Sequence, residues 1–236
     1  MKLKSIVFSA IFLLSIGIDA QTELECNTNL SNAHVATQAK NYDAAYEPWL
    51  YVKKNCPDLN LATYADGEKI LKHKIENSKG EIQLSFVDDM LDLWLLRKEH
   101  FKNDTPQGEF DAKACQLQYD YKDALGKTSL ELFECFDNAF NSDKETFTHP
   151  KSLYTYFSLM VELFDSGKKS SVELFETYDD ISEKIEVEIQ NYSEKLNGLV
   201  EKVDNGGTLS NSEENRKGAY ESYLKNYALI QGNMNA

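Results

Sequence analysis

Apolar side chains recur along this chain at helical spacing. From Leu153 they fall at Leu153, Tyr156, Phe157, Met160, Val161 and Phe164, steps of 3, 1, 3, 1 and 3 that put them on one stripe of a helix running from Pro150 to Asp165, which Gly167 ends. Earlier in the chain Ile82, Phe86, Met90, Leu93, Trp94 and Arg97 line one side of a second helix, while Asp88, Asp89 and Asp92 gather toward the other. A much longer helix begins near Lys168. Its apolar positions, Leu174, Tyr178, Ile181, Ile185, Ile189, Tyr192, Leu196, Leu199 and Val203, follow at 4, 3, 4, 4, 3, 4, 3 and 4, a heptad seam with one stutter. No stretch alternates as a half-buried strand would. The pattern predicts an all-α protein.

The predicted helices pair off. Hairpins fall at about 28–56, 60–101 and 108–142, separated by the polar breaks 58–60, 103–108 and 141–149. The repeat length drifts from about 34 to 42 residues, so the pattern is that of a degenerate array of antiparallel helix hairpins. The heptad seam of 174–203 requires a partner helix, and one follows directly. Asp204-Asn205-Gly206-Gly207 is a turn signal, Ser210-Asn211-Ser212-Glu213 is a capping box, and Tyr220, Tyr223, Tyr227 and Ile230 repeat at 3, 4 and 3. This predicts a long, coiled-coil-like helical hairpin at the C-terminal end. The same seam offers an alternative use, docking a second protein or self-association with a second copy. The chain stops at Ala236 on an odd helix where repeat arrays carry a polar cap, the pattern expected of a piece of a longer array.

The segment Asn41-Tyr42-Asp43-Ala44-Ala45-Tyr46-Glu47-Pro48-Trp49, continued by Leu50-Tyr51-Val52 and closed by Pro57, resembles the turn and second helix of a tetratricopeptide repeat. Ala45 stands where two helices touch, Trp49 at the aromatic position, and Val52 occupies a position that usually carries a small residue. Together with Gly67-Glu68-Lys69-Ile70-Leu71-Lys72-His73-Lys74-Ile75 and Leu153-Tyr154-Thr155-Tyr156-Phe157-Ser158-Leu159, the order of features is similar to exported tetratricopeptide-repeat proteins of flavobacteria-like Gram-negative bacteria. That resemblance implies a cell-envelope location and protein binding, with no catalytic residues to carry over. Pro48 lies about seven residues into its helix, where it removes a backbone hydrogen bond and predicts a kink. Tyr46, Trp49 and Tyr51 surround it and are the candidate partner-binding residues, in a groove for a protein or peptide.

The N-terminus bears on compartment. Lys2 and Lys4 precede an apolar run from Ile6 to Ile18, followed by Asp19-Ala20-Gln21, the layout of a secretory signal peptide over residues 1–20. Thirteen residues span about 20 Å, short of the roughly 30 Å needed to cross a bilayer. No later segment is apolar enough to span a membrane. The expected organisation is therefore a signal peptide (1–20), a TPR-like array (21–165) and a long helical hairpin continuing it (166–236), in a protein exported to the periplasm or outer envelope.

The full chain carries a net charge of −14 from 25 basic and 39 acidic residues. Loss of residues 1–20 removes Lys2, Lys4 and Asp19, leaving 23 basic and 38 acidic residues and a net charge of −15. Such a balance argues against nucleic acid and anionic membrane surfaces as partners, since both select basic patches.

Four cysteines fit this compartment. Cys26 and Cys56 lie about fifteen residues either side of Lys40-Asn41, and Cys115 and Cys135 lie eleven and nine residues from Gly126, so in antiparallel hairpins each pair comes side by side. Disulfides Cys26–Cys56 and Cys115–Cys135 are expected, the second competing with buried thiols.

Little in the sequence points to catalysis. His34, His73, His100 and His149 are scattered, and no zinc-type cysteine pairing, phosphate loop or nucleophile elbow is present. No metal site, cofactor or catalytic residue is assigned. The expected function is a non-catalytic protein-binding scaffold or adaptor of the cell envelope. The alternative is an acidic, glycosidase-like envelope hydrolase using paired carboxylates across an inter-helix cleft, such as Asp88 with Asp92 or Asp179 with Glu183.

Overall fold

The computed structural model describes residues 22–234, and every regular element among them is helical. The segment expected as a signal peptide lies outside the described residues. No helix among those described is long and apolar enough to cross a membrane. The chain divides into two compact units at Thr105–Pro106.

The first unit contains α1 (22–38), α2 (Tyr42–Asn55), α3 (Ala62–Glu76) and α4 (Gly80–His100), closed by a single 3-10 turn at Lys102–Asp104. Lys40, at φ +58°, turns the chain sharply between α1 and α2. The side chain of Asn41 then accepts from the Ala44 backbone N–H at 3.4 Å and caps α2. Helix α2 continues through Pro48 to Asn55 as a single element. Each of α2 and α3 packs on the next helix in sequence. Helices α3 and α4 run antiparallel, since Gln83 reaches the carbonyl of Ile75 at 2.8 Å while Trp94 reaches the carboxylate of Glu68 at 2.9 Å. Ala45, Trp49, Tyr64, Ile70, Leu71, Val87 and Leu93 fill the interior. The Cys26–Cys56 disulfide, with Cα atoms 6.3 Å apart, fixes α1 to the end of α2.

The second unit begins at Pro106 and contains α5 (Gln107–Asp120), the one-turn α6 (Lys122–Leu125), α7 (Ser129–Ser142), α8 (Pro150–Asp165), α9 (Ser171–Asp204) and α10 (Asn211–Met234). Gly126 at φ +63° ends α6, and Thr128 with Glu131 forms a reciprocal capping box that starts α7. Helix α5 packs against α7, α7 against α8, α8 against α9, and α10 lies along both α8 and α9. The core is aromatic: Phe140 meets Phe147 edge-on at 5.4 Å and Tyr156 at 5.6 Å, and Phe133 and Phe136 close around the same ring of Tyr156. Ile181 and Ile185 from α9 and Tyr227 from α10 complete it.

The α7–α8 loop is tied to the start of α5. The Gly108 backbone N–H donates to the Asp143 carboxylate at 3.1 Å and to the Thr146 hydroxyl at 2.9 Å. A β-carbon at residue 108 would lie 2.8 Å from the Phe147 backbone nitrogen, so the close approach requires glycine. Although burial opposes it, hydrogen bonds from the Thr146 hydroxyl and from the backbone N–H groups of Gly108 and Thr146 hold the Asp143 carboxyl below its ordinary range. The Cys115–Cys135 disulfide joins α5 to α7, Cα atoms 5.8 Å apart, and leaves no free cysteine among the described residues.

Candidate functional site

Tyr46, Trp49 and Tyr51 do not share a groove. Trp49 is 1% exposed and faces α3, where its indole N–H donates to the Thr63 carbonyl at 2.8 Å. Tyr46 is half-buried and meets Phe86 of α4 edge-on at 5.9 Å, with the Lys74 ammonium 5.1 Å above its ring. Tyr51 points the other way and donates to the Glu25 carboxylate of α1 at 2.7 Å, a contact that raises its hydroxyl pKa. Tyr46 and Trp49 also meet each other, ring centres 5.8 Å apart, toward α3 and α4, while Tyr51 turns to α1. They join the unit together, and a partner could reach Trp49 only by separating α2 from α3. Trp49, expected beside a groove at Pro48, lies inside the first unit.

The carboxylate pairs do not face each other across a cleft. Asp88 and Asp92 occupy successive turns of α4, and Asp92 binds Lys53 at 2.9 Å. Asp179 and Glu183 likewise share α9, where Glu183 contacts Lys144 at 3.3 Å. Lys144 also holds Asp180 at 2.9 Å, and these two acids raise its pKa against the opposing effect of burial. Among the described residues no group of three or more histidine, cysteine, aspartate or glutamate side chains is placed to hold a metal ion.

Two features of α9 went unseen in the sequence. The first is a buried ion pair. Lys184 and Glu188, four residues apart, have side chains only 6% exposed and lie 2.7 Å from one another. Lys184 also donates to the Glu145 backbone carbonyl at 2.8 Å. A cleft of about 310 Å³ opens over this pair, with Val187 and Lys144 on its walls. Ionised groups withdrawn from water need partners of this quality to be tolerated. The sequence signal was present, because Lys184 and Glu188 directly flank the seam positions Ile185 and Ile189.

The second feature is the opposite of burial. Val172 and Phe175 begin α9 with 63% and 66% of their surfaces in solvent, although they are large and apolar. They stand one turn apart. Glu176, Asp179, Glu183 and Glu186 continue the same exposed side of the helix as an acidic row. Ser170 and Glu173 form the capping box that starts this helix, so the pair is presented from a fixed first turn. Exposed single apolar residues are ordinary, but two large ones on consecutive turns in an acidic frame form a patch with both an anchor and a charge preference.

No protein-family profile, curated protein or solved structure matches the chain. The structure by itself defines the class: an all-α protein of two compact units, each carrying one disulfide.

Proposed function

We propose that this chain is a non-catalytic binding module of the cell envelope, a degenerate TPR-like helical array that holds a protein partner on the outward face of α9. The packing of consecutive helices within each unit supports the repeat reading, and two disulfides are compatible with an exported protein. The observation that carries the binding role is the solvent exposure of Val172 and Phe175 beside Glu176 and Asp179. An aromatic anchor in an interface contributes about 2 kcal/mol or more, whereas an exposed charge contact contributes about 0–1 kcal/mol. Phe175 therefore supplies affinity, and the acidic row selects partners. The matching partner is a basic amphipathic segment that lays an apolar side chain against Phe175 and its cations along the acids.

The test is fluorescence anisotropy with labelled cationic amphipathic peptides. Phe175→Ala should weaken binding about tenfold or more, the equivalent of roughly 1.4 kcal/mol. Raising the salt concentration should weaken the wild-type complex as well. Undiminished affinity in the Phe175→Ala protein, with its helicity intact, would remove this face from the proposal.

A further inference from the structure

Helices α9 and α10 extend well past the core they belong to. Ile189, Tyr192 and Tyr223 still pack against that core; beyond them, between residues 193 and 222, not one residue is buried, although the chain is helical for most of that length. The two helices touch along one seam only. Tyr192 meets Tyr220 at 5.6 Å and Tyr223 at 5.0 Å, and Leu196 and Leu199 continue the seam toward the turn at half burial. Val200 at its edge and Val203 within it remain 37% and 46% exposed. Helices draw most of their stability from tertiary packing of an apolar face, and a two-helix arm covers each face only in part.

The charge on this arm distinguishes it from the rest of the protein. Between residues 191 and 226 there are six acids, Glu194, Glu201, Asp204, Glu213, Glu214 and Glu221, against five bases, Lys195, Lys202, Arg216, Lys217 and Lys225, a net charge of −1 in a chain of net charge −14. Two copies of so acidic a protein repel each other over most of their surface. At the arm that repulsion is weakest. The signs are interspersed along both helices, and one pair, Lys202 with Glu213, already closes between them at 2.7 Å. A two-fold interface requires a surface that complements itself, which mixed charge around an apolar seam provides and a single-sign surface cannot.

We infer that the α9–α10 arm is a self-association surface, on which the arm of a second copy completes a four-helix arrangement around Leu196, Leu199, Val200 and Val203. The occupant is a second copy because the arm's net charge of only −1 gives a basic or an acidic foreign partner little to select, whereas its interspersed signs complement those of an identical arm. The surface is separate from the proposed partner face, since Phe175 and Val200 lie about 40 Å apart at 1.5 Å per residue of α9.

Sedimentation velocity of the purified chain over a concentration series tests this. The wild type should sediment at twice the monomer mass at micromolar concentration. Val200→Asp with Val203→Asp should shift the dimer midpoint at least tenfold upward. Because those changes could unwind the arm, a second variant alters only solvated charges: Arg216→Glu with Lys225→Glu takes the arm from −1 to −5, should dissociate the dimer, and should regain it in 1 M salt, where repulsion is screened within about 3 Å. Phe175→Ala should leave the dimer unchanged, which separates this inference from the proposed partner face. A wild type that stays monomeric to several hundred micromolar, or a charge variant that dimerises like wild type at low salt, would overturn it.

Discussion

Gly67 of α3 and Trp49 of α2 are in a contact that only glycine permits: a β-carbon at residue 67 would lie 2.6 Å from the indole Nε1, 2.8 Å from its Cε2 and 2.9 Å from a methyl of Leu93. The two helices approach closely because one of them has no side chain at the crossing, and the indole N–H then reaches the Thr63 carbonyl one turn away. Gly67→Ala should therefore destabilise the protein by about 1–3 kcal/mol despite the better helix propensity of alanine, and Trp49→Ala by about 3–5 kcal/mol. Urea unfolding measures both. A stabilised Gly67→Ala protein would mean that α2 and α3 can separate at little cost.

The Lys184–Glu188 pair should respond unequally to single and double replacement. Lys184→Met leaves a buried carboxylate without its cation and should cost about 3–5 kcal/mol, whereas Lys184→Met with Glu188→Leu should recover most of that loss or exceed wild type. Denaturant midpoints of the four proteins in the cycle report the coupling directly. Additive losses would show that the two charges do not depend on one another.

Acid should loosen the first turns of α9 and α10 together. Hydrogen bonds from the Ser170 backbone, then from Lys169 and the Ser170 hydroxyl, bring Glu173 down from the ordinary 4.5 to about 2, and Lys202 with Ser210 does the same for Glu213. Both folded values lie below the unfolded one, so the stabilisation is fully present above about pH 4.5 and is lost as the pH falls toward 2. Amide protection at residues 171–174 and 211–214, taken relative to the intrinsic exchange rate at each pH, should fall across that window in the wild type, while Glu173→Gln and Glu213→Gln should flatten the response at their own helix only.

Each disulfide should contribute on its own. The closed-loop estimate for bridges spanning 30 and 20 residues is about 3–4 kcal/mol each, so Cys26→Ser with Cys56→Ser and Cys115→Ser with Cys135→Ser should lower stability by similar amounts. Non-reducing alkylation followed by mass spectrometry should find no free thiol in the wild type. Thiols at Cys26 or Cys56 in the native protein would remove the bridge that holds α1.

Much of the helical architecture was legible because periodicity reports faces directly. The stripe from Leu153 foretold α8 from Pro150 to Asp165, and Leu153, Tyr156 and Met160 are buried as the spacing implies. The heptad seam likewise carries Ile181 and Ile185 into the core. Periodicity cannot tell which neighbour a face meets. Trp49 and Phe175 are both large aromatics on helices, yet one is enclosed by α3 and the other stands in water, a difference set by which face of each helix its neighbours cover. Lys184 was hidden for a related reason: a lysine reads as a surface residue, and its backbone acceptor, the Glu145 carbonyl, comes from a loop 39 positions away.

Four cysteines can be joined in three ways. The pairing found here keeps both bridges inside a compact unit, Cys26–Cys56 in the first and Cys115–Cys135 in the second, and either alternative would lace one unit to the other. Each sulfur thus has its partner within the stretch of chain that folds with it. Oxidation therefore follows folding without having to choose, and a reduced chain renatured in air should regain its native bonds with little scrambling and no isomerase.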